Sequence, residues 1–133
     1  MGVWHKASNR KSTGGLVKRG RKTKNYEAGC EPVKTVLGQR KVKKVKCRGG
    51  NSKLKLRSAS EVNVVDQKSK SLKRVKVLDI IENKANPHFV RQKVITMGAF
   101  VRTDIGVCRV TSRPGQCAAL DAVLVEKGKV KKK

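Results

Sequence analysis

Arginines and lysines set beside glycine pairs are the residues of this 133-residue chain whose types and spacing could do chemistry, and that chemistry is phosphate binding. Arg10-Lys11-Ser12-Thr13-Gly14-Gly15 and Arg48-Gly49-Gly50-Asn51 each place bases against residues that carry no Cβ. A backbone without Cβ atoms can approach a sugar–phosphate chain closely and offer its N–H groups, while the bases neutralise phosphates and release condensed counterions. Asn51 adds an amide that can hydrogen-bond a ribose or a base edge. Two denser basic sets surround these pairs: Arg10, Lys11, Lys18, Arg19, Arg21, Lys22 and Lys24, then Lys43, Lys44, Lys46, Arg48, Lys53, Lys55 and Arg57. Arg113, in Arg113-Pro114-Gly115, is a further candidate. The plainer alternatives are flexible turns at the glycine pairs and a solvated turn residue at Arg113. Two pairs flanked by bases favour RNA.

The charge is unevenly spread. The first 57 residues hold 18 Lys and Arg against two acids, Glu27 and Glu31, a net +16 out of the formal +25. Residues 58–126 carry 11 bases and seven acids, and the tail from Lys127 adds five lysines. Such a chain repels itself and gains compactness against a polyanion. Residues 1–40 show no sustained periodicity and are interrupted by Gly14-Gly15, Gly20, Gly29, Pro32 and Gly38. They read as an arm, disordered when free and extended when bound, with a functionless solvated tail as the alternative.

Other chemistry has little support. No nucleophile stands with a partnering base in a recognisable arrangement, and neither glycine pair continues into the Gly-Lys-Ser/Thr ending of a phosphate-binding loop. Cys30, Cys47, Cys108 and Cys117 are 17, 61 and nine residues apart, so no zinc knuckle forms, and His5 and His88 adjoin none of them. Reduced, incidental thiols are expected, with Cys108 buried in an apolar strand pattern. No catalysis, cofactor, metal or small-molecule substrate is expected. No apolar run approaches the roughly 18 residues of a membrane span, and no apolar signal core follows Met1-Gly2-Val3-Trp4-His5, so the chain reads most simply as intracellular. The aromatics are Trp4, Tyr26, Phe89 and Phe100, too few for a base-stacking platform. Trp4 reads either as a residue inserted into a crevice or as a stray exposed one.

The elements that must position these groups begin at Lys41. Alternation at Leu54–Arg57, Val62–Val64 and Leu72–Ile81 predicts strands, with a bulge or a helical turn where Leu78, Ile80 and Ile81 break the period. Further strands are expected at Val90–Thr96, Ala99–Thr103, Val107–Thr111 and Leu120–Glu126. Asp104-Ile105-Gly106 reads as a tight turn, and Arg113-Pro114-Gly115 as a type II turn with Gly at positive φ. The result is an all-β chain with a small antiparallel barrel over 41–126, a basic extension over 1–40 and a lysine-rich tail over 127–133. Its expected core is Val62, Val64, Val75, Val77, Ile80, Val94, Ile95, Phe100, Val101, Val110, Leu120, Val123 and Leu124. The second basic set would form one face of the barrel.

Several blocks resemble a known family. Arg10–Gly15 with the basic run and Lys24-Asn25-Tyr26-Glu27-Ala28-Gly29 is similar to the signature region of the eukaryotic and archaeal small-subunit ribosomal protein number eight, unrelated to the bacterial protein of that number. Arg48–Asn51, Glu82-Asn83, Asn86–Arg91, Ile95–Ala99 and Thr111–Gln116 look like its later blocks, in order, so that the resemblance covers residues 4–126. It implies a β-barrel with basic extensions, bound to small-subunit rRNA in the cytoplasm as a structural constituent of the ribosome, beside other ribosomal proteins. The short length looks like the archaeal form. Cys30, Cys117 and the length of the lysine tail depart from the pattern. An assembly factor of the same fold and a DNA-packing protein are the alternative readings.

Overall fold

Alternating β-branched residues, broken at intervals by Gly, Pro, Asn and Ser, form eleven strands among the described residues, with one α-helical turn and two 3-10 turns between them. This computed structural model describes residues 3–4 and 7–127; His5 and the lysine tail past Lys127 lie outside the described residues. The chain divides into two units between Pro32 and Val33, ahead of the residue-40 limit that composition indicates.

In the first unit, β1 (Val3–Trp4) pairs antiparallel with β2 (Ala28–Gly29), Trp4 opposite Ala28. A 3-10 turn at Asn25–Glu27 leads into β2. Trp4 is 48% exposed, and Tyr26 is more exposed still.

In the second unit, β3 (Thr35–Leu37), β4 (Lys41–Lys46) and β5 (Ser52–Ala59) precede β6 (Glu61–Asp66) and the long β7 (Ser71–Glu82). A short helix, α1 (His88–Arg91), is followed by β8 (Val94–Ile95), β9 (Phe100–Thr103), β10 (Gly106–Val110) and β11 (Asp121–Lys127). Strands β6, β7, β9, β10 and β11 close into a barrel. Consecutive strands alternate in direction, so the fifth, β11, runs the same way as the first, β6, and closure makes that pair parallel. An odd number of strands cannot close with every pair antiparallel, which corrects the expectation of a wholly antiparallel barrel. The remaining strands form a sheet in the order β4-β5-β3-β8, where β3 and β5 are also parallel. This second sheet is why residues 33–40 join the folded unit: Thr35 is buried, and its Oγ1 donates to the Leu56 carbonyl at 2.7 Å.

The core is built on Leu56, Ala59, Val62, Val64, Val75, Val77, Ile80, Ile95, Val101, Cys108, Val110, Leu120 and Ala122. Ten of the thirteen expected members are buried there or, like Val94, beside it; Leu124 only packs partly buried against it, and Phe100 and Val123 are half-buried, facing outward. The break in period on β7 is a pair of bulges, between Val77 and Asp79 and between Ile80 and Glu82. Expected strand Val90–Thr96 is reduced to Val94–Ile95, because Asn86 and Pro87 start a helical turn that runs to Arg91. Asn83 holds this region: its side chain donates to Val94 O at 3.1 Å and accepts from Ala85 N and Thr96 Oγ1.

The Arg113 turn is hydrogen-bonded from Gln116 N to Arg113 O at 2.9 Å, but Gly115 does not lie at positive φ, so it is not type II. Glycine serves a close approach there: a Cβ on Gly115 would meet the Val33 carbonyl at 3.3 Å.

Cys108 is buried with its thiol 3.4 Å from the Thr103 hydroxyl, and burial pushes its pKa up, partly offset by that hydrogen bond. Cys30 and Cys117 are exposed. Alkylation of the native protein should therefore modify Cys30 and Cys117 and spare Cys108, read by peptide mass spectrometry; early labelling of Cys108 would contradict the barrel packing. In urea unfolding, Leu56→Ala should lose about 2–5 kcal/mol. Leu54→Ala, two residues along on the same face but 46% exposed, should stay within about 0.5 kcal/mol of the parent.

Candidate nucleic-acid interface

Between Val33 and Ser60 there is no acidic residue, and that stretch contains the β4–β5 hairpin. β4 and β5 belong to the four-stranded sheet and not to the barrel, so the basic face expected on the barrel is carried by this hairpin. Its turn runs from Cys47, whose N–H donates to Asn51 O at 2.7 Å, through a 3-10 turn at Arg48–Gly50. Gly49 and Gly50 lie at φ +72° and +74°, a left-handed pair that residues with a Cβ rarely adopt. The two glycines therefore set the reversal, and the reversal sets the register. Arg48 is described here through its backbone alone.

That register places Lys43 opposite Lys55, Lys44 opposite Leu54, Val45 opposite Lys53 and Lys46 opposite Ser52. Directly opposed residues share a face, and faces alternate along each strand. Lys43, Lys53, Lys55 and Arg57 thus occupy one face, and Lys44 and Lys46 the other. Lys43, Lys44, Lys46, Lys53 and Arg57 are exposed, and Lys55 is half-buried. From Ser52 to Lys55, β5 pairs with β4 alone. A two-stranded ribbon is marginal in water, and like charges directly opposite each other weaken it further. The arrangement carries unneutralised positive charge on a narrow, projecting scaffold, which suits a polyanion. Arg113 joins this region: it is exposed on the turn whose next residue, Pro114, accepts a 3.0 Å hydrogen bond from Leu56 N at the base of the ribbon.

The first unit holds the other predicted set. Lys11 N donates to Gly15 O at 2.8 Å and Gly14 N to Lys11 O at 3.0 Å, closing a tight loop through Thr13 with Gly14 at φ +83°. Two of the predicted phosphate ligands also donate hydrogen bonds within this segment. Arg10 Nη1 donates to Gly14 O at 2.8 Å, and Arg19 Nη2 donates to Asn9 Oδ1 and, at 3.4 Å, to Ala7 O. Arg21 pairs with Glu27 at 2.6 Å, and Glu27 also accepts from Lys24 N at 3.1 Å. Lys11, Lys18, Lys22 and Lys24 present exposed side chains. The arginines thus help to shape the segment, and like the lysines they remain exposed.

Sequence reasoning missed Lys41, which opens β4, and Arg40, whose Nη2 donates to Ala118 O at 3.4 Å. Arg40 lines an open cleft of about 510 Å³ with Glu61 and Arg74, which pair at 2.5 Å. The signal was present in the continuity of Arg40-Lys41 with the alternating run after it. Among the described residues, no three His, Cys, Asp or Glu gather into a metal-holding group.

Replacing Lys55 by Glu puts an acid directly opposite Lys43. Thermal unfolding should show the hairpin-bearing unit stabilised by about 0.2–1 kcal/mol. RNA affinity should fall, and the slope of log K against log salt should become shallower by about one. A less stable protein, or unchanged RNA affinity, would contradict the register.

The family model for ribosomal protein S8e matches residues 4–125 of this chain. The small ribosomal subunit protein eS8 of Methanosphaera stadtmanae is 40% identical over 126 residues, covering 95% of this chain and 100% of that protein. The eS8 of Methanococcus maripaludis strain C7 is 44% identical over 126 residues, covering 94% and 98%, and that of Methanocorpusculum labreanum is 38% identical over 124 residues, covering 93% and 99%. With a lysine ribbon, a basic N-terminal loop and similarity along nearly its whole length, the chain belongs to the ribosomal protein S8e family.

Proposed function

We propose that this protein is a structural constituent of the small ribosomal subunit that holds folded rRNA through its phosphates and catalyses no reaction. The observation that carries the reading is the ribbon: Lys43 held opposite Lys55, with no acid between Val33 and Ser60. A fold that keeps like charges in register stores repulsion that a polyanion relieves. Similarity to archaeal proteins named for the small subunit supports the choice of polyanion.

On this reading, residues 1–40 act as a basic extension between rRNA segments and 127–133 as a lysine-rich tail, with Arg10, Lys11, Lys18, Arg19, Arg21, Lys22 and Lys24 contacting phosphates and the three arginines also fixing the shape of the segment. Lys43, Lys44, Lys46, Arg48, Lys53, Lys55, Arg57 and Arg113 serve the folded unit. Thr13-Gly14-Gly15 and Gly49-Gly50-Asn51 bring backbone and amide groups close to the sugar–phosphate chain. Other small-subunit proteins are the neighbours, and the ribosome in the cytoplasm is the location.

The test is a sucrose-gradient profile of native lysate at two salt concentrations, probing every fraction for this chain. Stoichiometric comigration with free small subunits, full ribosomes and polysomes is expected. Confinement to precursor particles would replace the reading with that of an assembly factor, and absence from ribosomal fractions would overturn it.

A further inference from the structure

We infer that the β4–β5 ribbon is inserted between two separate RNA segments and bridges them, one on each of its faces. The inference rests on the rRNA-binding reading above and goes beyond it, because binding by one face would satisfy that reading equally well.

The two faces are basic in different ways. One presents Lys43, Lys53, Lys55 and Arg57, four cations around the half-buried Val45. Their spacing and mutual repulsion fit a ridge of phosphates, which offers repeated negative charge and no need for apolar contact. The opposite face presents Lys44 and Lys46 together with Val42 and Leu54, which are 39% and 46% exposed. Two lysines beside a pair of exposed aliphatic side chains fit the wide, shallow groove of A-form RNA, whose surface is built of riboses between two phosphate rows.

Among the described residues of the second unit, the ribbon carries no buried side chain at this level, and only Val45 and Lys55 are half-buried. The ribbon becomes buried only from Leu56 onward, at 1% exposure, and both strands stand clear of it from Val42 to Lys46 and from Ser52 to Leu54 without a buried residue. Lysines on an edge strand can also serve to block pairing with another sheet. That role extends to Lys53 and Lys55, where β5 pairs with β4 alone, but it does not reach Arg57, which lies between Leu56, bonded to Pro114, and Ser58, paired with β3. Bases on both strands and both faces point to a partner on both sides.

The experiment is hydroxyl-radical footprinting of the full chain on an archaeal small-subunit rRNA transcript, comparing the parent with K43Q/K53Q/K55Q/R57Q and with K44Q/K46Q. Each variant should lose protection at its own set of nucleotides, and the two sets should lie in segments that are not contiguous in the RNA. The salt slope should become shallower by about three for the first variant and by about 1.5 for the second. Circular dichroism and thermal unfolding of each variant keep loss of folding distinct from loss of contact. If K44Q/K46Q leaves the footprint intact, or both variants lose the same nucleotides, the bridge is overturned while RNA binding stands. If the parent gives no footprint, the RNA-binding reading itself fails.

Discussion

Lys43 and Lys55 face each other across an antiparallel pair, and no acidic residue between Val33 and Ser60 separates them. A hairpin in that condition has to be anchored from elsewhere, and the anchoring organises the second unit. Leu56 is buried at the base of the ribbon, its N–H bound to Pro114 O and its carbonyl to the Thr35 hydroxyl. These bonds bind the hairpin to the 113–117 turn on one side and to β3 on the other. The repulsive end is free to project because the apolar end is held.

Charge is segregated along the same line. Seven of the nine acids fall in residues 58–126, on the barrel and its loops, where Glu61 pairs with Arg74 and Asp121 accepts from the Asn63 amide. The barrel thereby approaches neutrality, which lets it fold around valines and alanines, while the ribbon and the N-terminal loop keep their charge for a partner. Within that loop two of the bases serve the local structure as well. Arg10 and Arg19 use their planar, multi-donor guanidinium groups to bond backbone and amide oxygens while remaining exposed, as the neighbouring lysines are.

What could be read from the sequence was local. Alternation located the strands of the barrel, and the break at Leu78–Ile81 marked the bulges of β7. The glycine pair at 49–50 marked the tip of the ribbon. Pairing across long separations was not readable: nothing in residues 61–66 or 121–127 says that β6 and β11 lie side by side, or that they run parallel. Ala59, Ala99 and Ala122 escaped the expected core because a small side chain gives little hydrophobic signal, although each is buried. The helical turn at His88–Arg91 was lost among β-branched neighbours, since Asn86-Pro87 can start either a loop or a helix. The internal hydrogen bonds of Arg10 and Arg19 were equally hidden. A basic residue in a basic run carries no mark of whether it also bonds its own backbone.

The parallel seam between β6 and β11 also sets an order of events. Asn63 and Asp121, which meet across it, are 58 positions apart in the chain. During synthesis the barrel therefore remains an open sheet, with unpaired edges, until residues beyond Asp121 have been made. The basic N-terminal half emerges long before that, its own ribbon needing only the local reversal at Gly49-Gly50. Capture of a polyanion by the early half can thus precede completion of the late one, and the nascent chain would be tethered before its barrel has closed.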